Sequence, residues 1–319
     1  METKQIPDVD ITASSSYDDG NVGPQNARLN IDLKGGAWCP RKQITTESTE
    51  WLEINLHAVH VITSTSTQGR FGNGDGVEYA EAYLLEYWRP KLGKWVKYRT
   101  ADDQEIITGN TNTYLEKKHN LNPPIWASKI RFIPYSSHRR TICMRVELYG
   151  CYWSVGVVSY TMPKGDKRSN GIELNDMIYD GQWGDDLKGG LGQLVDGQFG
   201  GSDIRESSGW VGWKNETHDS PIVIVFEFDK VREFNAVHLF CYSRFMRDVQ
   251  VFSEAIITFS IGGRHFQEEP VRFTNTEDHL TSHNISINLH HRIGKWVRIE
   301  LHFSAKWILV SEIIFESGK

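Results

Sequence analysis

What this 319-residue chain lacks narrows its function before any motif is read. It has four cysteines, Cys39, Cys143, Cys151 and Cys241, and none stands in the C-x-x-C spacing of a zinc or redox site. Those thiols are therefore either buried or disulfide-bonded. No apolar run approaches the roughly 20 residues that cross a bilayer. The polar start Met1-Glu2-Thr3-Lys4-Gln5 shows no signal peptide, which leaves a cytosolic protein or an excised fragment. Lys and Arg number 35 against 41 Asp and Glu, a net charge of -6. Nucleic acid, whose binding needs a basic face, is not an expected partner, nor is an anionic membrane held by bulk electrostatics. G-x-S-x-G, H-E-x-x-H and Walker motifs are missing, and Gly72 to Gly76 lacks the acidic spacing of an EF-hand, so an enzyme is the least expected class. The twelve histidines have no metal spacing, and His290-His291 beside Arg292-Ile293-Gly294 reads as a turn.

Helical periodicity is also scarce. In its place stand short alternating runs with turn residues between them: Tyr83-Leu84-Leu85-Glu86-Tyr87, Trp95-Val96-Lys97-Tyr98, Ala255-Ile256-Ile257-Thr258-Phe259 and Ile285-Ser286-Ile287-Asn288-Leu289. Many short strands with Gly-rich turns imply antiparallel sandwiches. The pattern occurs twice. Leu52-Glu53-Ile54-Asn55-Leu56 and Ile224-Val225-Phe226-Glu227-Phe228 are each followed three residues later by a valine, Val59 and Val231. Arg131 precedes Val146-Glu147-Leu148 as Arg298 precedes Ser311-Glu312-Ile313. The repeat spacing is near half the chain, so we expect two copies of one fold, 1–151 and 152–319, packed together because no Pro/Ser linker parts them.

Sandwiches commonly bind through loops at one end. In the first copy those loops hold Tyr17-Asp18-Asp19-Gly20, Lys34-Gly35-Gly36-Ala37-Trp38 and Gln68-Gly69-Arg70-Phe71 running to Val77-Glu78-Tyr79. Arg70 and Glu78, at the two ends of one loop, either pair or face a ligand.

Ile11-Thr12-Ala13-Ser14-Ser15, Gly36-Ala37-Trp38-Cys39-Pro40, Trp51-Leu52-Glu53-Ile54-Asn55-Leu56 and Cys143-Met144-Arg145-Val146-Glu147-Leu148-Tyr149-Gly150-Cys151 resemble a discoidin domain of the coagulation factor V/VIII C-type. Gly190-Leu191-Gly192-Gln193-Leu194-Val195-Asp196-Gly197, Val211-Gly212-Trp213-Lys214-Asn215 and Phe226-Glu227-Phe228-Asp229 resemble the discoidin-like domain of the discoidin domain receptors. The resemblance implies an all-β chain of two tandem antiparallel jelly-roll sandwiches. It further implies the extracellular, ligand-binding part of a collagen-activated receptor tyrosine kinase at the cell surface, dimeric in full length, with no catalytic domain in this stretch and no insertion into the membrane.

By the same resemblance, triple-helical collagen, fibrillar or other, lies in a loop trench on the first domain. Arg70 and Glu78 match that trench directly, Tyr17 stands where a Trp is usual, and Asn21 where a Thr is expected. Gly35 replaces an Asp and Thr141 an Asn. A structural Ca2+ site is implied on the second domain from Asn175, Gln193, Asp196, Ser311 and Glu312, with backbone carbonyls of Ser208 and Trp210. Calcium takes about six to eight oxygens, which this set offers. Cys39 and Cys143 match a family disulfide; Cys151 matches a cysteine whose partner lies upstream, and Cys241 an unpaired position. Asn215 and Asn284 head N-glycosylation sequons. The competing expectation is an adhesion module for phospholipid or glycan, with Phe71 as its apolar spike and Lys34, Arg41 and Lys42 as a basic rim.

Overall fold

An alternating strand buries only one face, so a stable copy needs two layers. The computed structural model describes every residue except 48, 169–170, 205–208, 219–220, 245–247, 277–280 and 319. The chain forms two compact units, Met1–Trp153 and Ser154–Lys319. The first holds β1 (Ile11–Ala13), a short helix α1 (Asp19–Val22), β2 (Leu52–Gln68), β3 (Ala82–Trp88), β4 (Val96–Lys97), β5 (Ile107–Thr108), β6 (Lys117–Tyr135) and β7 (Arg145–Tyr152). Its strand order is β1-β2-β6-β3-β4, with β5 on β3 and β7 on β2.

The long strands differ from the short runs expected. β2 and β6 are 17 and 19 residues long. Register breaks at Asn55/His60 and Ile62/Ser64 divide their pairing, and His57 sits in the left-handed region at φ 60°. Before the first break β2 pairs with β1; from His60 onward it pairs with β7. Bulges sharpen twist and bend a strand, so one strand serves both layers of the sandwich. Trp38, Ile54, Tyr83, Leu85, Ile130, Phe132 and Met144, all buried, fill the space between them.

The second unit repeats the plan with β8 (Val157–Pro163), β9 (Asp186–Gly190), β10 (Val211–Lys214), β11 (Ile222–Cys241), β12 (Glu254–Ser260), β13 (Val271–Thr274), β14 (His283–His302) and β15 (Trp307–Gly318). The order is β10-β15-β11-β14-β12-β13, with β8 against β11 and β9. Aromatic rings dominate its core: Phe228 lies 4.7 Å from Phe234 and Phe226 5.0 Å from Phe315 between centroids, in edge-to-face contact. His290 and His291 are not a turn. They stay inside β14, and their left-handed φ of 52° and 56° marks the bend of that strand, with His291 Nδ1 2.6 Å from Glu233 Oε1.

The repeat seen in sequence is a repeat of register. Leu52 and Glu53 face Phe132 and Arg131, as Ile224 and Val225 face Ile299 and Arg298. The arginines are used differently. Arg131 Nε donates to Glu53 Oε2 at 2.9 Å and lies between Trp51 and Trp95, 4.2 and 3.8 Å from their ring centroids. Arg298, opposite a valine, pairs instead with Glu300 on its own strand, at 2.9 Å.

Candidate functional site

Loops between paired strands carry no ladder of their own, so local hydrogen bonds must shape them. In the first unit Asp18 caps α1, accepting from Gly20 N and Asn21 N at 2.9 and 3.1 Å. The Asn21 carbonyl then accepts from Gly35 N and from Asn26 Nδ2, both at 2.9 Å. Tyr17 N and Cys39 N tie this segment to the Cys39 loop through Cys39 O and Val22 O. The Cys39–Cys143 disulfide, spanning 104 residues, joins it to the segment before β7, and Val22 and Ala37 pack on the bridge.

These contacts enclose a cleft of about 520 Å³. Tyr17, Asn21, Arg70, Glu78 and Thr141, drawn from distant parts of the chain, all line it, beside Asp18, Arg41, Lys42 and Gln43. Tyr17 is 76% exposed, a ring standing free at the rim. Arg70 Nε donates to Glu78 Oε2 at 2.8 Å, and Nη2 reaches Oε1 at 3.4 Å. Arg70 N also bonds Glu78 O at 2.9 Å, which pinches the loop shut at its base. Burial pushes the Glu78 carboxyl up, but the Arg70 hydrogen bond, the Val77 N–H and the Arg70 charge together hold it below the ordinary range.

Two supports were not visible in sequence. Asp32 accepts from Gly72 N at 3.0 Å and Asn73 N at 2.8 Å, so a residue some 40 positions away pins the tip of the Arg70 loop. Arg145, buried, donates from Nε to Gly69 O at 2.8 Å and from Nη2 to Thr113 O at 3.0 Å, fixing the root of that loop. The signal for Arg145 was its place in the Cys143-Met144-Arg145 run; Asp32 had none.

Gly35 has a steric reason. A Cβ there would lie 2.4 Å from Val22 Cγ1 and 2.8 Å from Asn21 O. Gly35→Asp should therefore destabilise the first unit by about 1–3 kcal/mol through overpacking, read as a lower Tm. An unchanged Tm would show that α1 relaxes freely.

In the second unit Gln193 and Asp196 sit on and after a single 3-10 turn, and Ser311 and Glu312 lie on β15. Gly197 N donates to Glu312 Oε2 at 3.2 Å, and Gln198 N to Asp196 Oδ1 at 2.7 Å. Burial, and after it the charge of Asp196, raises Glu312 to about 9. Asp196 is likewise raised by burial, with Asp176 adding to it. Burial raises an acid in this way where no cation offsets it, and neither carboxylate has a positive partner among the described residues. The Ser311 hydroxyl is buried and finds no hydrogen-bond partner among the described residues. The β10–β15 register pairs Val211 with Val310, which sets Trp210 next to Ser311. Asn175 leans elsewhere: its Nδ2 donates to Glu173 Oε2 at 3.1 Å, although its Oδ1 is buried and unpaired among the described residues. Ser208 lies outside the described residues. No three His, Cys, Asp or Glu side chains converge among the described residues. The donor set is instead two carboxylates with amide, hydroxyl and carbonyl oxygens, which fits a hard, oxygen-seeking cation such as calcium.

Residues 10–148 match the family model of the F5/8 type C domain, and residues 156–317 that of the discoidin domain-containing receptor 1/2, DS-like domain. The chain belongs to the discoidin domain receptor family. Discoidin domain-containing receptor tyrosine kinase B of Caenorhabditis elegans is 38% identical over all of this chain and 40% of its own length. Epithelial discoidin domain-containing receptor 1 of Homo sapiens is 34% identical over 99% of this chain and 36% of its own. The chain thus spans well under half of these receptors. Among solved structures, recombinant discoidin II of Dictyostelium discoideum is similar over 97% of this chain and 95% of that one, at 17% identity and a TM-score of 0.38. In this receptor chain Cys151 is an exposed free thiol, whereas burial holds the Cys241 thiol far above its usual range. Asn215 and Asn284 are both exposed.

Proposed function

We propose that this chain is the collagen-binding ectodomain of a receptor tyrosine kinase, displayed on the outer face of the plasma membrane. The observation that carries the reading is the convergence of Tyr17, Asn21, Arg70, Glu78 and Thr141 on one cleft. A collagen triple helix is a rigid rod of polyproline II chains, already ordered, so a preformed trench grips it with little ordering cost. Tyr17 supplies an apolar ring with a hydroxyl, and the Arg70–Glu78 pair presents oriented donors and acceptors to the rod. Solid-phase binding to native and to heat-denatured collagen tests this. Native-only binding is expected, and equal binding to both would sink the trench reading.

Bound calcium would supply positive charge between Asp196 and Glu312, with Gln193 and the Ser311 and Trp210 oxygens completing its shell. The role is structural, because binding to the folded state alone stabilises it. Adding calcium should raise the Tm of the second unit, and Asp196→Asn should remove most of that rise. Scanning calorimetry with calcium and with chelator checks it; a calcium-independent Tm would refute the site.

A second reading has its own support. Beside Phe71, the apolar loop residues Leu33, Val77, Tyr114 and Leu115 are exposed in the first unit, Val77 by 73%. Such a set suits an adhesion surface for phospholipid or glycan. Liposome flotation beside the collagen assay separates the two.

A further inference from the structure

The trench carries an imbalance of charge that bears on which collagen it takes. Of its acids, Asp18 is committed to the first turn of α1 and Glu78 to Arg70. Gly35 adds no carboxylate and has no room for one. Arg41 and Lys42 are exposed and line the same cleft, and neither has an acid partner among the described residues. Arg41 reaches only a carbonyl, Ser16 O, at 3.3 Å. Ile44 and Arg140 exchange both backbone hydrogen bonds, so this basic segment is fixed against the β6–β7 loop that carries Thr141. Arg139, in that loop two residues before Thr141, is exposed and likewise without an acid partner among the described residues. In a chain whose net charge is -6, a cleft wall of unpaired cations is a local reversal of sign.

We infer that the trench selects triple-helical segments carrying Asp or Glu beside the apolar residues that meet Tyr17, with Arg41 and Lys42 reading those carboxylates. This rests on the collagen reading and refines it. A collagen rod displays its X and Y side chains outward at fixed intervals, so a carboxylate a triplet away from the apolar contact meets a wall at a set distance. Complementary rim charges act chiefly on encounter rate and on choice of partner, and they weaken with salt.

The test uses the whole two-unit chain against three triple-helical peptides that share one apolar guest and differ in a flanking position: Glu, Gln or Lys. The Glu peptide should bind about tenfold tighter than the Lys peptide at low salt, with the ratio shrinking as salt rises. The double variant Arg41→Gln, Lys42→Gln, with an unchanged Tm, should bring that ratio close to one. Binding of all three peptides alike, or preference for Lys, would overturn this inference and leave the collagen reading standing. Binding of none, and none of native collagen, would overturn both. A Glu preference that survives in the double variant would assign the selection to other residues and overturn the role given to Arg41 and Lys42.

Discussion

Arg70→Ala is expected to lower affinity for native collagen by about 30-fold or more, the range of an interface hot spot at about 2 kcal/mol and above. Three losses combine at this position. The guanidinium that would meet the rod disappears. Glu78, only 21% exposed at its side chain, is left with the Val77 N–H but no cation, which is costly in a partly dry site. The loop also loses a prop, because Arg70 Nη1 lies within 2.8 Å of where a Cβ on Gly72 would be. Arg70→Lys should rescue little, since an ammonium cannot reproduce the two-pronged contact with Glu78. Biosensor titration on immobilised native collagen measures all of this, and wild-type affinity in Arg70→Ala would remove the trench from the first unit. The pair also sets an acid limit. The Glu78 carboxyl is depressed in the folded chain, so its contribution is complete above the ordinary glutamate range and is lost as pH falls through the lowered value. Binding should be level from neutral pH down to about 5 and should fail only in stronger acid.

How much of this was written in the sequence depends on the distance over which each feature acts. Strand faces follow from alternation two residues apart, so the runs at Tyr83 to Tyr87 and Ala255 to Phe259 appear as β3 and β12. The doubling of the pattern survived folding as a shared register, Glu53 against Arg131 and Val225 against Arg298. Bends were not legible. A left-handed His57 or His290 has the same local sequence signal as a turn, and only partners on neighbouring strands decide that the chain stays in the sheet. That Tyr17 and Thr141 line one cleft was legible mainly through family resemblance, since they stand far apart in the chain. The supports of that cleft were less so, because Asp32 acts on Gly72 and Asn73 through space and has no motif of its own. The proposed cation site lies between: Gln193 and Asp196 share one turn that the sequence shows, while the meeting of that turn with Glu312, through Gly197 N, needs β15 folded against it.

Replacing both Cys39 and Cys143 by serine should cost the first unit about 4 kcal/mol, and on a unit of this size that corresponds to a fall in Tm of roughly 10 °C. The bridge closes a long loop, 104 residues apart in sequence, and in the chain-entropy account the restriction it places on the unfolded state grows with loop length. Burial adds to this. Cys39 and Cys143 pack with Val22 and Ala37 in a small cluster of their own, so the serine hydroxyls would be left among apolar groups. That cluster lies under the trench. Its loss loosens the segment that carries Arg41 and Lys42 against the one that carries Thr141, leaving the Trp38–Met144 and Ile44–Arg140 backbone pairs as their ties. Affinity for native collagen should therefore fall even at temperatures where the variant remains folded, because loop ordering must then be supplied on binding. Thermal unfolding followed by circular dichroism, with the collagen assay repeated well below the new Tm, separates the two effects. A lower Tm with unaltered affinity would mean that the disulfide steadies the unit as a whole and does not shape the trench.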